Sequence, residues 1–447
     1  MSTLSTSRQQ AFLALRSIDR GAFADVAVDR GLAQADLNPL DRRLMTELVY
    51  GCVRRQRSLD ALIDQLAKKP AQQQPADLRL ILRLGLYQLR YLSQIPASAA
   101  VNTTVDLTKQ NGFAGLTGFV NGLLRQYVRS AQDQDPLQLP ESAIACLGVL
   151  HSYPDWIVQV WADQIGLEQT GKLCEWMNRS PHIDLRVNPL RATVETVEAA
   201  MQDSGISVSR VPQSPQALRL PQSIGAIQSL PGFQEGWWMV QDSSAQLVAQ
   251  LLDPQPGETI VDACAAPGGK TMHLAELMQD RGTVWACDRT ASRLRKLKQN
   301  VERLGLQSIQ ICEGDSRDLP QFRGQGDRVL IDAPCSGLGT LHRHADARWR
   351  QTPANVRELA TLQGELLKEA ATWVNLGGIL VYATCTLHPV ENEETIATFL
   401  STHPDWVIDP PAADSPLSSF TTSAGWLKVW PDRQDRDGFF MVRLRRK

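Results

Sequence analysis

The chain has 447 residues, of which 43% are hydrophobic and 21% charged, and its formal net charge is −2. That length predicts roughly three domains of about 150 residues, each able to bury its own core, and the composition excludes disordered, collagen-like or supercharged chains. No apolar run approaches the ~18 residues of a membrane span. The opening Met-Ser-Thr-Leu-Ser-Thr-Ser has no basic stretch leading into an apolar one, so no signal peptide, no membrane association and a cytoplasmic location are expected. Eight cysteines without a Cys-x-x-Cys pair argue against a disulfide scaffold and against structural zinc, and no metal is expected. Cys52, Cys146, Cys174 and Cys312 read as small buried apolar groups.

Charge is divided unevenly: residues 1–140 hold 17 Lys and Arg against 12 Asp and Glu, the remainder 29 against 36. A basic front suggests an anionic partner, although ordinary surface variation gives similar excesses. This front half reads as helices only. Ser7-Arg-Gln-Gln10 has the form of a capping box and is followed by Phe12, Leu15 and Ile18 at helical spacing. Leu44, Leu48, Cys52, Val49 and Val53 form a second apolar stripe, and Leu59, Leu62, Ile63 and Leu66 a third. A fourth helix over 77–92 carries Leu78, Ile81, Leu82 and Leu89. On it Arg79, Arg83 and Arg90 fall within about 40° of one another, which places them on one face. Such a face either meets phosphates or is a solvated outer surface.

Residues 131–140, polar and with two prolines, read as a linker. Beyond it a helix over 153–178, a strand over 182–188, a helix over 194–204 and a strand over 206–211 form a small α+β segment. From Asp253 onward strands over 259–264, 283–288, 308–312, 328–332 and 378–385 alternate with helical patterns, the signature of a parallel sheet covered by helices. Late runs over 406–409 and 439–444 extend the sheet at one edge. The expected organisation is therefore multidomain: an all-α bundle over 1–135, an α+β segment over 145–235 and an α/β domain over 236–447. In such open sheets ligands sit beyond the carboxyl ends of the strands.

The residues at those strand ends carry chemistry. The first strand runs into Asp262-Ala-Cys-Ala-Ala-Pro-Gly-Gly-Lys-Thr271, whose small residues let a loop pass close to a ligand. Cys264 stands where a P-loop needs glycine, so Gly-Gly-Lys-Thr is no Walker motif, and the dinucleotide fingerprint is absent as well. The second strand ends in Asp288, nineteen residues after Gly269, where a nucleotide-binding sheet grips ribose hydroxyls. Asp315 follows the third strand, at a place suited to an adenine amino group. A helix N-cap is the alternative for any one of these aspartates. The fourth strand ends in Asp332-Ala-Pro-Cys-Ser-Gly337 and the fifth in Ala383-Thr-Cys-Thr-Leu387, so two cysteines face one crevice, and a thiolate is a strong nucleophile.

These segments, with Val240-Gln-Asp-Ser-Ser-Ala-Gln246 before them and Asp437-Gly-Phe-Phe-Met-Val-Arg-Leu444 after them, resemble the RNA 5-methylcytosine methyltransferases of the RsmB/Nop/Sun type. The front half is similar to a NusB-like helical domain, notably in Val101-Asn102 and Gly118-Phe-Val-Asn-Gly-Leu-Leu-Arg125, and that pairing points to bacterial members acting on 16S rRNA. The resemblance implies a NusB-like RNA-binding bundle, an α+β RNA-recognition segment and a Rossmann-like catalytic domain using S-adenosylmethionine. It implies a cofactor loop of Cys264, Ala265, Ala266, Pro267, Gly268, Gly269 and Lys270, with Asp288 on the ribose, Asp315 near the adenine and Arg293 supporting Asp315 from its helix. Asp332 lies beside the cofactor. Cys385 would be the nucleophile, Asp332 the support for the ring nitrogen, Cys335 the group that assists proton loss and release, and Lys270 a further catalytic group. The chain departs from the family in His342 and in Ala345, which stands where proline is usual. A lone His342 or His344 reads as an RNA contact or surface residue. The implied partner is 16S rRNA, with no obligate protein partner and a monomeric chain. The alternatives are a methyltransferase acting on tRNA and a non-catalytic ribosome-assembly factor that binds RNA.

Overall fold

A computed structural model describes residues 7–221 and 224–447. It divides into two compact units: the chain up to Arg179 together with Leu341–Arg350, and Ser180–Thr340 together with Gln351–Lys447.

The first unit is helical: Ser7–Asp19, Ala24–Gln34, Pro39–Arg54, Gln56–Leu66, Ala76–Tyr91, Ala97–Gln110, Thr117–Asp133, Ala143–His151 and Asp155–Trp176. Ser7 is already helical and buried, and the residue before it lies outside the described residues, so the capping box expected at Ser7–Gln10 is not formed with Ser7 as the cap. A clear cap occurs at Asn38, whose Oδ1 accepts from the N–H groups of Leu40 and Asp41 at 2.9 and 3.0 Å, with Pro39 at the first helical position.

Ala76–Tyr91 is the centre of the unit. Its buried residues include Leu78, Leu80, Ile81, Leu82, Leu84, Leu86 and Tyr87, an all-round apolar surface that only a helix enclosed by others presents. The Tyr87 ring lies where a side chain on Gly51 would be, at 2.0 Å from a Cβ placed there, so the helices meet closely only because residue 51 is glycine.

This enclosure corrects both readings of the arginine stripe. Arg83 is buried and forks onto Asp60 with two 2.7 Å hydrogen bonds. Arg90 forks onto Asp135 at 2.6 and 2.7 Å, and Arg79 donates to Gln72 at 2.8 Å with Asp19 at 3.7 Å. Only Arg83 is buried, and Arg79 and Arg90 are half-buried with a carboxylate beside each, so the three arginines do not form one open phosphate-binding or solvated face.

Leu341–Arg350 joins this unit although it follows the fourth strand of the parallel sheet in sequence. Arg348 is fully buried and donates to the carbonyls of Arg54, Ser152 and Leu341 at 3.2, 3.1 and 3.2 Å and to Asn178 Oδ1 at 3.0 Å. Its guanidinium carbon lies 4.0 Å from the Tyr153 ring centroid. Trp349 donates to the Val53 carbonyl at 2.7 Å, and Arg350 to those of Gly21 and Ala22. His342 is 2% exposed, its ring 4.7 Å from that of Trp176. It is therefore not a surface residue or an RNA contact; His344 is exposed. Ala345 is buried in the helical core.

In the second unit a four-stranded antiparallel sheet has the order β2-β3-β1-β4, with β1 Ile183–Val187, β2 Ser209–Val211, β3 Ser214–Leu220 and β4 Trp238–Val240. Helix Val194–Asp203 packs on it around Leu185, Val197, Met201, Leu218 and Trp238. Strands β3 and β4 were not legible in the sequence, since neither is a bounded run of alternating apolar residues.

The large sheet contains β5 Thr259–Asp262, β6 Thr283–Asp288, β7 Ile309–Glu313, β8 Gly326–Asp332, β9 Val374–Thr384, β10 Trp406–Ile408, β11 Leu427–Val429 and β12 Phe439–Arg446. Its order is β10-β12-β9-β8-β5-β6-β7, with β11 paired to β12. β7, β6, β5, β8 and β9 are mutually parallel, and the antiparallel β12 lies beyond β9 with β10 at the edge outside it. The strand order reverses between β5 and β8, which opens a crevice at their carboxyl ends. Among the described residues no helix is long and apolar enough to cross a membrane.

Candidate active site

A cleft of about 300 Å³ opens at that reversal, within the size range of small-ligand sites. Its wall includes Cys264, Ala266 and Lys270 after β5, Asp288 and Arg293 after β6, Asp315 after β7, Asp332 and Cys335 after β8, and Cys385 after β9. Five strand ends thus meet in one place because parallel strands all point the same way.

The loop after β5 needs its small residues. Gly268 has φ +104°, and a Cβ there would stand 2.7 Å from Met272 and 2.8 Å from Leu297. Ala265, Pro267, Gly268 and Gly269 shape this turn without lining the cleft, whereas Cys264, Ala266 and Lys270 line it. Asp262 is buried beneath, accepting from Thr271 Oγ1 at 2.7 Å, and burial pushes its carboxyl up to about 7. Burial also pushes the Cys264 thiol up, which makes it a wall group rather than a nucleophile.

Asp288 is buried at the end of β6 and accepts from the Thr290 N–H at 2.8 Å and the Ala266 N–H at 3.3 Å. Arg293 does not support Asp315 as expected. It donates to the Ala266 carbonyl and lies 3.5 Å from Asp288, because its helix, Ala291–Leu304, starts directly after β6. Asp315 is held instead by Arg317, at 2.7 Å, whose hydrogen bonds bring its carboxyl down to about 2. Arg317 carried no signal in the sequence.

Lys270 Nζ lies 2.6 Å from Asp332 Oδ2 and 5.0 Å from the centroid of the Phe439 ring. Burial works against the charge on Lys270, yet Asp332 holds its pKa above the ordinary value. Sequence reasoning missed Phe439, which only the strand order brings beside β9. The two thiols meet: Cys335 Sγ is 3.4 Å from Cys385 Sγ. Contact with Cys385, then burial, pushes the Cys335 thiol well above its usual range.

Sequence reasoning also missed Arg186 of β1. Fully buried, it forks onto Glu276 at 2.9 and 2.7 Å and donates to the Gly269 carbonyl at 2.6 Å, tying the small sheet to the start of helix Gly269–Leu277. The buried pair leaves no lone charge.

The donor set of the cleft suits S-adenosylmethionine. Asp288 and Asp315 offer acceptors for hydroxyl and amino groups, and Leu362, Leu366 and Ala266 offer apolar surface for a purine. Among the described residues no group of three or more His, Cys, Asp or Glu is arranged to hold a metal ion.

Residues 249–445 match the family model of the 16S rRNA methyltransferase RsmB/F, residues 5–129 that of the NusB family, and residues 153–226 that of the RsmF/B-like ferredoxin-like domain. A Synechocystis protein named probable ribosomal RNA small subunit methyltransferase B is 51% identical over 446 residues, covering 99% of each chain. A Bacillus subtilis protein of the same name is 36% identical over 431 residues, covering 95% of each. Among solved structures, PH0851 is similar with a TM-score of 0.81 at 27% identity over 99% of each chain. A methyltransferase homologue from Pyrococcus horikoshii is similar with a TM-score of 0.60 at 29% identity, over 69% of this chain and 100% of its own.

Proposed function

Because the chain belongs to the ribosomal RNA small subunit methyltransferase B family, whose methyl donor is S-adenosylmethionine, we propose that it methylates carbon 5 of a cytosine in 16S rRNA through a covalent bond between Cys385 and the base. The observation that carries this reading is the pair of thiols 3.4 Å apart at adjacent strand ends, in the cleft that also holds the Lys270–Asp332 pair.

Carbon 5 of cytosine is a weak nucleophile, and addition of a thiolate to carbon 6 gives it enamine character. The cofactor, when bound, supplies an electrophilic sulfonium methyl group. In this reading the Cys385 thiolate forms a bond to carbon 6 while ring nitrogen 3 takes up a proton from solvent. Asp332, paired with Lys270, accepts from that N–H. Once carbon 5 carries the methyl group and Cys385, bonded to the base, no longer raises its neighbour, Cys335 gives up its own proton to solvent and as thiolate removes the carbon 5 proton. The carbon 6–sulfur bond then breaks with its electrons returning to Cys385, restoring the carbon 5–carbon 6 double bond, and ring nitrogen 3 returns its proton to solvent. The base is splayed out of the RNA to reach the cleft, and the helical unit and the ferredoxin-like segment bind the surrounding RNA.

The test supplies labelled S-adenosylmethionine with deproteinised 16S rRNA, small subunits and tRNA, and reads the product by nucleoside mass spectrometry. Label in 5-methylcytidine of 16S rRNA is expected. Label in a ribose or exocyclic amino methyl, or in tRNA alone, would overturn the reading.

Cofactor binding gives an independent check. Asp288→Ala removes a strand-end carboxylate whose charged hydrogen bond contributes about 1.5–3 kcal/mol, so calorimetry should show affinity for S-adenosylmethionine weakened roughly 10- to 150-fold. An unchanged affinity would remove Asp288 from the site.

A further inference from the structure

Glu391 is a buried carboxylate that the reaction above does not use. It ends the short turn Pro389–Glu391 after β9 and is fully buried. Oε1 accepts from the Ser336 N–H at 2.8 Å and from Gln363 Nε2 at 2.9 Å, and Oε2 accepts from the Ser336 hydroxyl. Its donors are neutral groups, and burial raises its pKa.

The bonds of Glu391 and its neighbour reach both cysteines through the residues beside them. Ser336 follows Cys335, and its hydroxyl lies 2.8 Å from Thr386 Oγ1, which follows Cys385. Asn392 accepts from Thr384 Oγ1 at 2.6 Å and donates to the Thr386 carbonyl at 3.0 Å, pinning both neighbours of Cys385. Tyr382 of β9 donates to the Glu391 carbonyl at 2.6 Å. Two consecutive residues thus clamp both cysteine-bearing turns.

The charges around the thiols are unequal. Contact with Cys385 and burial raise the cost of a thiolate on Cys335 and Glu391 adds to it, whereas the positive charge of Lys270 faces Cys385. The other ionisable groups facing these are Tyr382 and Cys264, and Asp332 and Asp262 around Lys270. A proton held between two sulfurs 3.4 Å apart belongs to the pair until a nearby charge assigns it.

We propose that Glu391 is a positioning residue that holds the Cys335 turn through Ser336 and keeps the shared proton on Cys335, leaving Cys385 as the attacking thiolate. This rests on the two-cysteine reading of the site, but its test needs no RNA and no turnover. The pH dependence of iodoacetamide alkylation at each cysteine is measured by peptide mass spectrometry on the full chain, for wild type, Glu391→Gln and Glu391→Asp. Wild type should alkylate at Cys385 at lower pH than at Cys335. Glu391→Gln should shift the Cys335 profile down by about one pH unit, raising its rate at neutral pH roughly tenfold, and Glu391→Asp should restore the preference. Retained binding of S-adenosylmethionine shows that a variant is folded. Unchanged profiles in a cofactor-binding Glu391→Gln overturn the proposal. So does a wild type whose Cys335 reacts at lower pH than Cys385, a result that stands even if the Gln variant fails to fold. The expected profiles in a wild type that makes no 5-methylcytidine would instead count against the cytosine reaction and leave this assignment standing.

Discussion

Cys385→Ala is expected to lower methyl transfer by more than about 10³-fold and to form no covalent RNA adduct, because nothing else in the cleft can take over as nucleophile. Lys270 is ion-paired, Cys264 is raised by burial, and Cys335, even without Cys385 beside it, is still raised by burial and by Glu391. Cys335→Ala should fail differently. Attack and methylation proceed once, but the group that removes the carbon 5 proton is gone, so product stays bonded to Cys385. Denaturing gels with labelled RNA should show a protein–RNA band in Cys335→Ala alone, with little in wild type. The two sulfurs are 3.4 Å apart, so distance to the base cannot separate their roles; the order of events does. A band in Cys385→Ala and none in Cys335→Ala would make Cys335 the nucleophile. Full activity in both variants would reduce the pair to packing.

The second large effect is on stability. Arg348→Met keeps much of the aliphatic volume but removes the donors to Arg54, Ser152, Leu341 and Asn178, leaving buried acceptors unpaired at about 1–3 kcal/mol each. The losses do not simply add. The guanidinium itself pays for burial, which lowers its pKa to about 10 despite the Tyr153 ring against it, and removing it returns that cost. A net loss of about 3 kcal/mol is expected, lowering the unfolding temperature of the helical unit by roughly 6–12 °C. Calorimetry showing that transition within about 1 °C of wild type would mean that the carbonyls find other partners and that the 341–350 segment is only laid onto the helices.

Reading the strand ends from the sequence worked for a local reason. Strands buried on both faces are short apolar runs, and Asp288, Asp332 and Cys385 mark where each run stops. Parallel pairing then sends those ends to one side, so their convergence follows from the alternation of strands and helices. Arg83 was misread for an equally physical reason. Helical spacing places residues on a face but does not say how many faces are covered, and Ala76–Tyr91 is covered all round. Arg293 was given the wrong partner because position along the chain does not say which carboxylate a long side chain reaches.

What the sequence by itself determined is whatever depends on neighbours along the chain: the helical front, the alternating strands and helices, the glycine turn after β5 and the residues that stop each strand. Tertiary structure alone decided the rest. The segment 341–350 is polar and short, and its anchors Arg54, Ser152 and Asn178 lie 294, 196 and 170 residues from Arg348. Phe439 reaches Lys270, and Glu391 reaches Ser336, only after β12, β9 and β8 have taken their places side by side. Buried polar groups must find partners wherever the fold puts them, and a partner that satisfies a carbonyl or a carboxylate leaves no periodic mark on the chain that supplies it.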